Sequence, residues 1–112
     1  YIFVMNTIFL IMENAPQLIL IITEHAWDGA VNISDYLENQ FSKSLALDYL
    51  SSLKLAFNAL AEFPDLGVHF QGNVRKLIWK KYTLIFYRYD DNYLYVLDVV
   101  DSRSSPLFNF LD

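Results

Sequence analysis

VRKLIWKKYTLIFYRYDDNYLYVLDVVDSRSSP, residues Val74 to Pro106, holds three segments of alternating apolar and polar residues, rich in Tyr, Val, Ile, Leu and Phe. Residues of these types at period two suit the pleated, half-buried surface of a sheet. Strands are expected over Val74–Trp79, Tyr82–Arg88 and Tyr93–Val100, joined at Lys80-Lys81 and at Asp90-Asp91-Asn92 into an antiparallel meander. In the second strand Thr83, Ile85 and Tyr87 face away from Leu84, Phe86 and Arg88. In the third, Leu94, Val96, Asp98 and Val100 oppose Tyr93, Tyr95, Leu97 and Val99. Both faces are partly apolar, so one covers helices and the other, with its tyrosines, Arg75 and Arg88, is a surface that another chain would cover.

Working back from the meander, Leu18–Ile22 is a short continuous apolar run and reads as a buried strand. Thr23 follows with a hydroxyl suited to an N-cap, and Glu24 places a carboxylate in the first turn. Ala26, Ala30, Ile33, Leu37 and Phe41 recur every three or four residues and define the buried stripe of a first helix. Gly29 costs this helix about 1 kcal/mol relative to alanine, and the sequence gives no reason for it. Ser42 caps a second helix in which Ala46, Tyr49 or Leu50, Leu53, Phe57 and Leu60 share a face. Pro64 stops it near Phe63, and Asp65-Leu66-Gly67 makes a turn in which the glycine is able to take positive φ. The fold class expected is α+β, in the order β-α-α-β-β-β, with an antiparallel sheet packed against a helical hairpin.

The 112 residues suffice for one core and are too few for two. Residues 16–112 are expected to form that single domain, with residues 1–15 as an apolar leader, an extra strand or sequence upstream of the native start, since Met5 and Met12 are both available as starts. The apolar block Tyr1–Met12 is shorter than the roughly 18 residues of a membrane span, and no basic residue precedes it as in a secretory signal. Cysteine is absent, which removes disulfides and thiolate metal sites. His25 and His69 lie far apart in sequence, so neither a metal site nor a cofactor is expected.

The net charge of −5 argues against indiscriminate binding to nucleic acid. The charge is uneven. Residues 1–65 carry eight acids and two bases, residues 66–112 five acids and six bases, and between Gln71 and Arg88 there are five bases and no acid.

The order strand, helix, helix, three strands resembles the RelE/ParE superfamily of bacterial type II toxins. The resemblance runs from Leu18 to Pro106. It rests on the Thr-capped first helix after a short strand, the Leu60, Pro64 and Gly67 pattern closing the second helix, Arg75 early in the next strand, the Tyr82–Tyr87 segment and the ending DVVDSRSSP. That ending, with Asp101, Arg103 and Pro106, looks like the plasmid-stabilisation branch of ParE-like toxins. RelE-type members are ribosome-dependent mRNA endoribonucleases, in which a base activates the ribose 2′-OH and cations stabilise charge on the phosphorane. Here Arg75 and Arg103 match basic positions of the family. Thr83 stands where many members carry arginine, Asp101 where histidine is common, and Leu107–Asp112 has no tyrosine or base. The ParE-like branch, which poisons DNA gyrase by binding it, needs no such set.

The resemblance therefore implies a cytoplasmic toxin that binds gyrase and is neutralised by a cognate antitoxin in a hetero-oligomer. The alternatives it leaves are a ribosome-dependent RNase and a degenerate interaction module. Candidates for target or phosphate contact are Arg75, Arg88, Arg103, Lys81 and Tyr87, and candidates for antitoxin contact are Trp27, Tyr36 and Trp79; no catalytic residue is assigned. Against these roles, Arg75 and Arg103 are equally placed to pair with Asp98 or Asp101 across the sheet, and Lys80-Lys81 suits a solvated turn.

Overall fold

The computed structural model describes residues 17–103, so the expectations for residues 1–15 and for Leu107–Asp112 lie outside the described residues. The elements are β1 (Ile19–Ile22), α1 (Glu24–Gln40), α2 (Lys43–Glu62), β2 (Val68–Gln71), β3 (Val74–Trp79), β4 (Thr83–Tyr89) and β5 (Tyr93–Asp101). The fold is α+β, with the two helices packed on a five-stranded sheet of order β1-β5-β4-β3-β2. Its sheet is mixed: β1 runs parallel to β5, and the other neighbours are antiparallel.

Thr23 acts twice at the first junction. Its Oγ1 accepts from the Ala26 amide at 3.2 Å, capping α1, and donates to the Val96 carbonyl at 2.8 Å, tying that cap to β5. The Ser42 Oγ accepts from the Leu45 amide at 3.0 Å and starts α2 only two residues after α1 ends. Such a short link forces the helices into an antiparallel hairpin. Ala26, Ala30, Ile33 and Leu37 are buried along α1, but the fifth residue of the stripe, Phe41, is the C-cap and is 67% exposed. From α2, Leu53, Phe57 and Leu60 meet Ile85 and Tyr87 of β4 and Leu94, Val96 and Val99 of β5 in one cluster. Fully burying each large apolar side chain contributes about 1.5–3 kcal/mol.

Gly29 is explained by this packing. A Cβ at this position would stand 2.5 Å from the Val99 carbonyl oxygen, so α1 lies directly on the β5 backbone. Gly67 also answers a close approach, and not the positive φ expected of it. Its missing Cβ would fall 2.7 Å from both the Lys76 carbonyl oxygen and the Tyr87 hydroxyl. The positive φ belongs to Gly72, at 58°, in the turn from β2 to β3.

Two details of the sheet differ from the sequence reading. β2 is an additional strand, exposed along its whole length and, among the described residues, paired only with β3. In β5 the alternation breaks. Phe86 pairs with Asp98 while Tyr87 pairs with Val96, so Leu97 is a one-residue bulge. Beyond it Val99 and Asp101 take the buried positions that Asp98 and Val100 would have held. The Asp98 carboxylate instead accepts from the Val99 amide at 2.8 Å and meets His25 Nε2 at 3.3 Å.

Candidate functional site: a cationic, aromatic pocket at one end of the sheet

The turn from β3 to β4 and the end of β5 converge at one edge of the helical hairpin. Lys80 sits in the turn with φ 57°, and Lys81 follows it with its Nζ 5.5 Å from the centre of the Tyr82 ring. Thr83 opens β4 opposite Asp101, and the Ser102 amide donates to the Tyr82 carbonyl at 2.8 Å, holding the end of β5 against that turn. Asp101 then fixes Arg103. Its Oδ1 accepts from the Arg103 amide at 2.8 Å and from Nε at 3.2 Å, and its Oδ2 from Nη2 at 2.9 Å. The Asp101 side chain is buried whereas that of Arg103 is half exposed. The hydrogen bonds to Asp101 raise the Arg103 pKa above its ordinary value. Its guanidinium also lies 4.0 Å from the centre of the Tyr82 ring. A salt bridge on one edge and a ring beneath hold the plane of this cation, leaving its remaining N–H groups to a partner.

Beside Arg103 a pocket of about 360 Å³ opens between the hairpin and the sheet. Leu37, Phe41, Leu45 and Trp79 form apolar walls; Tyr49, Ser52 and Thr83 supply hydroxyls; Asp48, Lys80 and Arg103 stand at its rim. The Trp79 indole N–H donates to Ser52 Oγ at 2.8 Å, which fixes that wall. The Tyr49 hydroxyl is buried against Thr83 without closing a hydrogen bond of normal geometry. Burial pushes its pKa up, the Thr83 hydroxyl works against this, and the nearby Asp101 carboxylate adds to the rise.

The five residues expected to meet a target lie in three places. Arg103 and Lys81 are together at this end. Arg75 is in register with Tyr87 and shares its face; its Nε donates to the Gly67 carbonyl at 3.1 Å, and its guanidinium stands 3.8 Å from Asp65. Tyr87 is fully buried, donating to the Pro64 carbonyl at 2.7 Å and accepting from the Gly67 amide at 2.8 Å. Tyr89 adds a hydrogen bond to Asp65. These three side chains clamp the loop after α2. Arg75 lies four residues from Trp79 along β3, about 13 Å in an extended strand. Arg88 is on the uncovered face, 4.0 Å over the Tyr95 ring. Of the pairings weighed from sequence, Arg103 takes Asp101, whereas Arg75 meets Asp65 in the preceding loop, a partner not expected from the sequence.

The residues expected to meet an antitoxin also separate. Trp27 is 52% exposed and edges a groove of about 160 Å³ between the helices, with Ala30, Leu50, Leu53, Lys54 and Phe57. Tyr36, nine residues further along α1, is about 180° away around the helix. It lies within electrostatic reach of the Arg103 guanidinium, so Tyr36 and Trp79 belong to the pocket end. Phe41, Tyr49 and Tyr82 were not singled out from sequence. The Leu37/Phe41 and Leu45/Tyr49 pairs at i, i+4 across the helix junction are the signal that would have found the first two. Among the described residues no group of three His, Asp or Glu side chains converges as a metal site would require, and no helix is long and apolar enough to cross a membrane.

The profile of the family described as the ParE toxin of the type II toxin–antitoxin system, parDE, matches residues 20–106. The chain belongs to the ParE toxin family. The matched span takes in β1 from its second residue, the hairpin, the clamp loop and the whole pocket. The fold is also similar to a structure described as the chromosomal ParDE toxin–antitoxin system from P. aeruginosa, with a TM-score of 0.68 and 16% identity over 76% of this chain and 96% of that one. At that identity the likeness extends to the fold. No curated protein sequence matches the chain.

Proposed function

We propose that this ParE-family chain inhibits growth by binding DNA gyrase and that a cognate antitoxin neutralises it, without RNA cleavage. The observation that carries the proposal is the fate of the two positions where RelE-type nucleases place their chemistry. Thr83 is 5% exposed and Asp101 is likewise buried, its carboxylate engaged by Arg103, so neither offers a cation or a base to a scissile phosphate. What stands at the surface is a fixed guanidinium with Lys81, Tyr82 and Trp79 around it, a combination suited to docking on a protein. The structure described as a ParDE system supports an antitoxin as partner. The Trp27 groove suits the apolar side of an antitoxin segment that folds on binding.

Tight induction in a bacterial host tests the reading. Growth should stop, the DNA-damage response should rise, and transcripts should remain intact at early times. Codon-specific cuts in ribosome-bound mRNA, mapped at their 5′ ends, would overturn it. Arg103→Ala should relieve the inhibition, whereas Arg75→Ala, which removes only a clamp contact, should leave it in place.

A further inference from the structure

The pocket beside Arg103 has features that docking on gyrase does not call for. It is a cavity and not a flat patch, and its volume of about 360 Å³ falls in the range of small-molecule sites. Phe41 and Trp79 offer flat apolar walls, and Phe41, 67% exposed, is left open by the fold. Deeper in, Ser52, which accepts from the Trp79 N–H, keeps its own hydroxyl proton available to a guest, while the Tyr49 hydroxyl is sealed within the wall. At the mouth stand two cations, Lys80 and Arg103, against one carboxylate, Asp48; the other nearby carboxylate, Asp101, is bound to Arg103.

We propose that this pocket binds a small anion built on a planar ring, the ring between Phe41 and Trp79 and the phosphate or carboxylate at Lys80 and Arg103. The walls exclude a bare inorganic anion as the preferred guest, because an ion alone would leave them wet. The rim favours an anion over a neutral ring through direct contacts and not through net charge: Asp48 and Asp101 balance Lys80 and Arg103, but the Lys80 ammonium and the remaining Arg103 N–H groups are donors that an anion's oxygens accept from. The Ser52 hydroxyl gives such a ring an in-plane hydrogen bond and sets its orientation. The guest comes from one of two sources, a phosphorylated nucleoside or an aromatic carboxylate, which share this chemistry.

The test uses the isolated protein, so its outcome is independent of growth inhibition and of gyrase. Uridine 5′-monophosphate and indole-3-acetate are titrated in parallel with uridine, indole-3-acetamide and inorganic phosphate, following backbone amide shifts of Ser52, Trp79, Thr83 and Arg103 by NMR. At least one ring anion should saturate those shifts with a Kd below about 1 mM, with its neutral counterpart and inorganic phosphate each about tenfold weaker or more. Binding by the nucleotide alone assigns the phosphorylated source, and binding by indole-3-acetate alone assigns the carboxylate. Phe41→Ala and Lys80→Asn both alter exposed residues, and asparagine tolerates the positive φ of Lys80. Each should weaken binding about fivefold, while Asp48→Asn should tighten it about twofold. No saturable shift with either anion at millimolar concentration would overturn the proposal. So would neutral rings binding within twofold of the anions, inorganic phosphate binding equally well, or affinities unchanged in the Phe41 and Lys80 variants.

Discussion

Replacing Gly29 by alanine sets two effects of known size against each other. In an exposed helix interior the change stabilises by about 1 kcal/mol, through better helix propensity and a less disordered unfolded chain. At Gly29 the new Cβ would stand 2.5 Å from the Val99 carbonyl oxygen, a backbone atom that no rotamer change can move. To reach even a tight contact α1 must withdraw from β5 by about half an ångström, and a gap of that size forfeits roughly a quarter of each dispersion contact across it. The contacts at stake are those of Ala26, Ala30 and Ile33, all buried against the sheet, together with the Thr23 hydrogen bonds to Val96 and Leu97. Overpacking of this kind costs about 1–3 kcal/mol, occasionally more, and with the lost Thr23 geometry the upper half of that range applies. After subtracting the propensity gain, the net effect is a destabilisation of about 1–2 kcal/mol, or a Tm lower by about 5–10 °C for a domain of this size. Urea and thermal unfolding followed by far-UV circular dichroism measure it directly. An unchanged or raised midpoint would refute the claim that α1 rests on the β5 backbone.

Tyr87→Phe should cost about 2–3 kcal/mol in urea unfolding, because it leaves the Gly67 amide and the Pro64 carbonyl without their shared hydroxyl; a loss under 0.5 kcal/mol would argue against the clamp. Leu53→Ala should cost about 2–5 kcal/mol through the cavity left in the core and should abolish growth inhibition with it. Stability should fall at alkaline pH. Burial raises the Tyr49 and Tyr87 pKa values above 10.0, so above that pH the unfolded chain loses protons that the folded one retains, and the stabilisation present below it disappears as pH climbs through the folded values. Urea midpoints at pH 9 and above, compared with those of Tyr49→Phe, check this; the variant should show a shallower decline.

The helical half was legible because its signals are local. Thr23, Ser42 and Pro64 each act within a turn of their own position, and the stripe from Ala26 to Leu37 needs only helical geometry. The sheet was legible where alternation holds and illegible where it does not. One bulge at Leu97 turned Val99 and Asp101 inward, and nothing in YLYVLDVVD marks which residue is skipped. Val68–Gln71 escaped notice because an edge strand with no buried residue has no apolar pattern, although Gly72-Asn73 after it is a hairpin signal. The pocket could not be read at all as a unit. Its residues come from positions 37–52 and 79–103, and only the packing of α1 and α2 on the sheet brings them together. Arg103 was visible as a basic residue, but its restraint by Asp101 and Tyr82 depends on the end of β5 folding back to that turn.

The place of β5 between β1 and β4 has a consequence for how the protein comes into being. β1 leaves the ribosome early, yet its neighbour in the sheet is the last strand of the described chain, and the Thr23 cap waits for a carbonyl 73 residues downstream. Until Tyr93–Asp101 has emerged, β1 and β4 are open edges and the hairpin has no Leu94, Val96 or Val99 to close upon. Pairing over such a separation is slow compared with helix formation. A nascent chain therefore carries neither the completed sheet nor a fixed Arg103 while it is being synthesised, and whatever this protein does to its target begins only after translation has delivered the last strand.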